Sequence, residues 1–117
     1  MATFSKVLLS GSTDGKAIKV AATATAGTTI HTAGSGSTNR DEIWIYAVNS
    51  STSGVKLTLE WGEATAPDGN IELTVAAESG LVLVIPGLLL QNSLVCKAFA
   101  ATANVILLHG YVNRITA

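Results

Sequence analysis

The last third of the sequence has almost no charge. Residues 81–117 contain no Asp or Glu, and their only basic residues are Lys97 and Arg114. At average composition a soluble segment of this length would carry about nine charges. The segment instead holds three apolar runs, at 81–85, 88–90 and 105–108. In a two-layer β fold such runs supply apolar side chains to both faces of a sheet, so we expect part of the surface to be covered by another copy or by a partner.

Cysteine, aromatic residues and net charge are also scarce. The single cysteine, Cys96, excludes an intrachain disulfide and fits a reducing compartment. Aromatic residues make up 5% of the chain, so Val, Leu, Ile and Ala must build the core. A net charge of −1 argues against a nucleic-acid partner. No apolar run approaches the roughly 20 residues of a membrane span, and none resembles a signal peptide, so we predict no membrane partner.

Alternation of apolar and polar residues is the main structural signal. It predicts nine strands, at residues 4–9, 16–20, 28–32, 43–48, 55–61, 71–76, 81–85, 94–100 and 104–112. Turn-forming residues separate them, including Pro86-Gly87 after the seventh. The Ser/Gly loop at 49–54 predicts a hairpin between the fourth and fifth strands. The fourth strand is apolar on both faces and is therefore expected to be central in its sheet or covered.

These strands predict one domain over residues 1–117. The expected fold is all-β, a single antiparallel β-sandwich of eight to nine short strands, jelly-roll-like and almost without helix. Residues 1–10 are predicted to form an N-terminal arm or an edge strand. The clearest alternation, at 55–61, predicts buried Leu57, Leu59 and Trp61, with Lys56, Thr58 and Glu60 on the exposed face.

No group of residues in the sequence suggests catalysis. His31 and His109 lie within predicted strands and have no partner at a metal-ligand spacing, so both are interpreted as structural. The Gly/Ser-rich segment at 34–39 lacks the lysine of a phosphate-binding loop. Glu60 and Glu63 beside Trp61 are interpreted as a strand end rather than a glycosidase pair. We therefore predict that the protein is not an enzyme and binds no cofactor or metal, and that Cys96 is a buried, inert thiol.

Six segments spread over nearly the whole chain resemble small virion structural proteins of tailed bacteriophages. They are LSGSTDGKAIKVA at 9–21, GTTIHTA at 27–33, DEIWIYAVN at 41–49, LTLEWG at 57–62, AFAATANV at 98–105 and GYVNRI at 110–115. The class they resemble most is the capsid decoration, or cement, proteins. The resemblance implies a protein made in the host bacterial cytoplasm that binds the outer surface of a phage capsid and stabilises it. Its implied partners are the major capsid protein and other copies of itself.

Exposed apolar residues are the expected assembly contacts. The candidate interface comprises Phe4, Val7, Leu8, Trp44, Tyr46, Leu88, Leu89, Leu90, Ile106 and Leu108. An alternative function remains open, a carbohydrate-binding or tail-associated virion module. Trp44 and Tyr46 point to the same side of their strand and could stack against a sugar ring.

Overall fold

The computed structural model describes residues 2–116 and is built from β-strands alone. The strands are β1 (Thr3–Leu8), β2 (Ile18–Lys19), β3 (Thr28–Thr32), β4 (Asn39–Asn49), β5 (Val55–Trp61), β6 (Asn70–Val75), β7 (Val82–Leu90), β8 (Val95–Ala100) and β9 (Ile106–Thr116). They form two antiparallel sheets, which confirms the predicted all-β sandwich.

The strand order within the sheets is that of a jelly roll. Sheet A has the order β1-β9-β4-β7, with the short β2 also paired to β9, and sheet B has the order β3-β8-β5-β6. Strands from the two halves of the chain therefore pair in a nested series, β1 with β9, β3 with β8, β4 with β7 and β5 with β6. This nesting places β1 and β7 at the two edges of sheet A.

The predicted hairpin between the fourth and fifth strands is wrong. β4 belongs to sheet A and β5 to sheet B, so the loop at 50–54 crosses between the layers. The side-chain amide of Asn49 fixes the first residues of this loop by donating hydrogen bonds to the carbonyl oxygens of Ser53 and Val75. β4 is central, as its apolar character on both faces predicts, and lies between β9 and β7.

Pro86 and Gly87 do not end a strand, contrary to the predicted turn. β7 continues through them to Leu90, and the register with β4 shifts at this point. Proline is tolerated because β7 is an edge strand. Gly87 has a φ of +80° and lies against the indole of Trp44, where an added Cβ would come within 2.8 Å of the ring. The Pro-Gly pair thus forms a bulge rather than a turn.

The core lies between the two sheets and is aliphatic. Its largest fully buried apolar side chains are Leu9, Ile30, Ile43, Ile45, Leu57, Leu59, Ile85, Ile106 and Leu108. Leu57 and Leu59 confirm the predicted inner face of β5, whereas Trp61 is only half-buried.

The predicted exposure of Thr58 and Glu60 is wrong, and only Lys56 is exposed on that face. The segment at 21–27 lies over the outer side of sheet B and covers Glu60. The carboxylate of Glu60 accepts hydrogen bonds from the Thr25 hydroxyl at 2.9 Å and from the Gly27 N–H at 2.6 Å. Alternation along β5 could not reveal this cover, because the covering residues come from a distant part of the chain.

Candidate assembly surface

The side of sheet A that faces away from the core is the candidate functional surface, and we call it the outer face. Its strands alternate, so that each inward-facing core residue is followed by one on this face. The outer face comprises Phe4, Lys6 and Leu8 on β1, Leu107, His109, Tyr111, Asn113 and Ile115 on β9, Arg40, Glu42, Trp44, Tyr46 and Val48 on β4, and Leu83, Pro86 and Leu89 on β7.

Several large apolar side chains of the outer face are open to solvent. Phe4 is 74% exposed, Leu8 49%, Leu83 46% and Leu89 54%. Trp44, Tyr46 and Tyr111 lie among them and are half-buried. Large apolar side chains exposed together on one face of a sheet are typical of an interaction site.

The two central aromatic rings of the outer face are packed against their neighbours. The rings of Trp44 and Tyr111 are nearly parallel, with an angle of 13° and centroids 6.2 Å apart. The ammonium group of Lys6 lies 4.9 Å from the centroid of the Tyr111 ring, a cation–π contact. Gly87 contacts the indole of Trp44 from β7. These contacts make the centre of the face closely packed.

The carboxylate of Glu42 lies beside the Trp44 ring. Oε1 of Glu42 accepts hydrogen bonds from the Trp44 indole N–H at 2.7 Å and from the Asn113 amide at 3.0 Å. The hydrogen bond from Asn113, and then that from Trp44, lower the pKa of Glu42 below its ordinary value. Glu42 is therefore a fixed negative charge at neutral pH.

A shallow depression of about 450 Å³ lies between Glu42 and Lys6. Phe4, Ser5, Asn113 and Ile115 also line it. The ion pairs formed among residues 2–116 include neither Lys6 nor Glu42. Two opposite charges without ionic partners thus flank a concave site on an apolar face.

The structure divides the ten predicted interface residues into three groups. Phe4, Leu8, Leu88 and Leu89 are exposed, while Val7, Trp44 and Tyr46 are half-buried. Leu90, Ile106 and Leu108 are buried and are corrected to core residues. The run at 105–108 alternates between the surface and the core, and the run at 88–90 ends on the buried Leu90, so a run assigned wholly to an interface contains core members.

The sequence prediction missed the polar members of the outer face. Lys6, Glu42 and Asn113 lie on three different strands, and only the pairing of β1, β9 and β4 brings them together. Tyr111 also lies on the outer face but is not one of the ten predicted interface residues. The alternation of residues 106–112 already places it on the side opposite Leu108, which is the signal that could have identified it.

The buried pair His31 and Asp41 lies between the sheets rather than on this face. His31, from β3, donates from Nε2 to Oδ2 of Asp41, from β4, at 2.7 Å. Its Nδ1 accepts the Ser10 backbone N–H at 2.9 Å, which assigns the proton to Nε2. Arg114 donates to both oxygens of Asp41, at 2.8 and 2.9 Å. The imidazole is fully buried and both of its nitrogens are occupied, as expected of a structural histidine.

The other candidates for chemistry are the Cys96 thiol and the pair of Glu60 and Glu63. Burial, and then the nearby charge of Glu60, raise the pKa of the Cys96 thiol to about 12, which makes it unreactive at neutral pH. An open pocket of about 220 Å³ brings Glu60 and Glu63 near Lys97, but Glu60 is already held by Thr25 and Gly27. Within residues 2–116, no three His, Cys, Asp or Glu side chains are grouped so as to hold a metal ion.

No protein-family model, curated protein or solved structure matches this chain. Among the described residues, no helix is long and apolar enough to cross a membrane.

Proposed function

We propose that this protein is a structural component of a phage virion that binds the outer surface of the assembled capsid and stabilises it. The observation that carries the proposal is the number and placement of exposed large apolar side chains. They lie on the outer face and also at Leu81, Leu88 and Leu94, outside it. A protein that binds a shell and also contacts its neighbours needs more than one such surface, and repeated copies on a symmetric shell gain from multivalency.

Two further features support the proposal. The chain resembles decoration proteins over most of its length, as described above. The jelly-roll topology occurs in viral capsid domains and also in lectins, so the fold is compatible with virion assembly without selecting it.

Strand β1 is our candidate for the shell contact. Among residues 2–116 it pairs only with β9, so within that part of the chain its other edge has unpaired main-chain groups. Five of its six residues are exposed, and Val7 alone packs against the core. An exposed edge strand can add to the sheet of a neighbouring protein through main-chain hydrogen bonds. On this proposal, residues 2–8 contribute more to assembly than to the stability of the fold. Met1, which belongs to the predicted N-terminal arm, lies outside the described residues.

The test is binding to expanded shells of the phage that encodes the protein. We expect the protein to co-sediment with such shells and to raise their resistance to heat or chelator. Deletion of residues 2–8 should weaken this binding more than it lowers the free energy of unfolding. Thr74→Asp, an exposed change on β6 in the other sheet, is the control and should bind normally. Failure to bind expanded shells, or localisation to the tail by labelled microscopy, would overturn the proposal.

Glycan binding is the alternative, and the aromatic side chains are the reason to consider it. We favour assembly because Lys6 covers Tyr111 and Gly87 lies against Trp44, which leaves less open ring surface for a sugar to stack on. Glycan binding that disappears in Trp44→Ala, while shell binding persists, would reverse this preference.

A further inference from the structure

The register of sheet A arranges nine outer-face residues in three rows that run across β1, β9 and β4. Each row takes one residue from each strand. The rows are Phe4, Ile115 and Arg40; Lys6, Asn113 and Glu42; and Leu8, Tyr111 and Trp44. In every row the residue on β1 and the residue on β4 lie at equal distances on either side of β9, about 4.8 Å from it.

We propose that the outer face binds the outer face of a second copy of this chain, about a two-fold axis parallel to β9 that passes over Asn113. Such an axis carries β1 of one copy over β4 of the other and leaves β9 facing β9. Lys6 of each copy then lies opposite Glu42 of its neighbour. The two sheets keep aligned strand directions, as in the common face-to-face packing of sheets.

Charge complementarity is the main argument for a second copy as the occupant. An isologous interface must be complementary to itself under its own symmetry operation. The row containing Lys6 and Glu42 meets that requirement, because the axis forms two equivalent ion pairs. Each joins Lys6 of one copy to Glu42 of the other. Within one copy the two residues are separated by strand β9, at about 9.6 Å between strand axes, and they form no ion pair there.

The other two rows are complementary under the same axis. The exposed ring of Phe4 lies opposite Arg40, an arrangement suited to a cation–π contact. Leu8 lies opposite Trp44 and buries apolar surface against the indole. The depression between Lys6 and Glu42 gives the incoming side chains room to enter.

The size of the outer face indicates a reversible dimer. Under the proposed axis β7 has no strand of the sheet order opposite it, so the contact spans three strands at about 4.8 Å spacing and eight residue steps along β9 at about 3.4 Å, roughly 14 by 27 Å. Two copies would then bury roughly 800 Å² in total, below standard specific interfaces and typical of a weak, transient contact. The monomer is therefore expected at low concentration and the dimer at high concentration or on a crowded shell.

The second-copy contact uses the face of sheet A, whereas the proposed shell contact uses the edge of β1, and because β1 contributes to both, the two are measured in separate experiments. Dimerisation is measured on the purified protein without shells. Shell binding is measured separately on the same variants, so that failure of one leaves the other testable.

The experiment is a charge swap followed by sedimentation equilibrium over a range of concentrations. Lys6→Glu and Glu42→Lys each place like charges across the interface twice, and each should weaken the dimer by about tenfold or more. The double variant restores opposite charges and should return the dissociation constant to within about threefold of the wild type. Lys56→Glu is the matched control, because Lys56 forms an exposed ion pair with Glu72 on the other sheet and should leave dimerisation unchanged.

Recovery in the double variant supports the proposal, because Lys6 and Glu42 do not pair within one copy. A wild-type protein that stays monomeric at millimolar concentration overturns it. So does a folded double variant that associates no better than either single variant. Circular dichroism on each variant establishes that the sheets are intact.

A crosslinking measurement tests the position of the axis without changing either charge. Asn113→Cys places a thiol on the axis in both copies, and a short bifunctional thiol reagent should join the two copies. Cys96 is fully buried and does not compete for the reagent. Thr74→Cys, on the exposed side of sheet B, is the control and should not crosslink efficiently. Equal crosslinking of the two variants would overturn the proposed axis.

Discussion

His31 and Asp41 form a hydrogen bond that ties one layer of the sandwich to the other. His31 belongs to β3 in sheet B and Asp41 to β4 in sheet A, and both side chains are completely buried at an Nε2–Oδ2 distance of 2.7 Å. Arg114, from β9, completes the group by donating to both carboxylate oxygens. Burial of a charge is tolerated here because every part of the carboxylate has a partner.

Asp41→Ala should strongly destabilise the protein. The substitution leaves the Arg114 guanidinium without its partner and the Nε2–H of His31 without an acceptor. We expect a loss of about 2–4 kcal/mol in the free energy of unfolding, less than for a fully buried pair because Arg114 is 30% exposed. Urea denaturation measures it. Asp68→Ala, in an exposed turn, is the control, and a similar loss there would contradict the assigned role.

Asp41 should also make stability depend on acid pH. Burial acts to raise the pKa of Asp41, but the hydrogen bonds from Arg114 and His31, with the charge of Arg114, outweigh it and lower the pKa below its ordinary value of 3.8. The stabilisation is therefore fully present above that value and is lost as the pH falls through the pKa of the folded protein.

Comparison of the wild type with Asp41→Asn isolates this contribution. The free energy of unfolding should fall more steeply below about pH 4 in the wild type, and the gap between the two proteins should narrow as the solution is acidified. Denaturation curves at a series of pH values measure both slopes. Parallel curves would show that Asp41 does not titrate with folding.

Gly87→Ala should perturb the centre of the outer face. Gly87 has a φ of +80°, and an added methyl group would come within 2.8 Å of the Trp44 indole. Gly80→Ala is a matched control, since Gly80 has a φ of +71° but open space around it. We expect a loss of about 1 kcal/mol for the control and about 1–3 kcal/mol more for Gly87→Ala. Near-ultraviolet circular dichroism should change only for Gly87→Ala, and equal effects would contradict this account.

Glu60→Ala should release the segment that covers sheet B. The carboxylate accepts the Thr25 hydroxyl and the Gly27 N–H, so its loss leaves two donors without an acceptor. The expected destabilisation is about 1–3 kcal/mol, with faster hydrogen exchange at Gly27. Glu63→Ala, two residues beyond the strand and exposed, should cost less than about 0.5 kcal/mol. Unchanged exchange at Gly27 would show that the covering segment is held by other contacts.

The sequence by itself determined the class of the fold and the faces of its clearest strands. Alternation is a local property, so it correctly placed Leu57 and Leu59 in the core and made β4 a central strand. The segment after residue 80, which has no acidic residue, likewise indicated exposed apolar surface, which Leu83, Leu88 and Leu89 provide. Burial of apolar side chains dictates these features, and it depends mainly on the identity and spacing of neighbours in the chain.

The tertiary structure alone decided which strands are partners and what covers each face. Alternation specifies which face of a strand is buried but not which strand lies beside it. It therefore could not show that β4 pairs with β9 and β7 rather than with β5. For the same reason it could not reveal that a distant segment buries Glu60, or that Lys6 and Glu42 flank Asn113 in one row. Pairing depends on contacts between residues far apart in the chain. The candidate assembly surface is a product of those long-range contacts, and its geometry follows from the register of β1, β9 and β4.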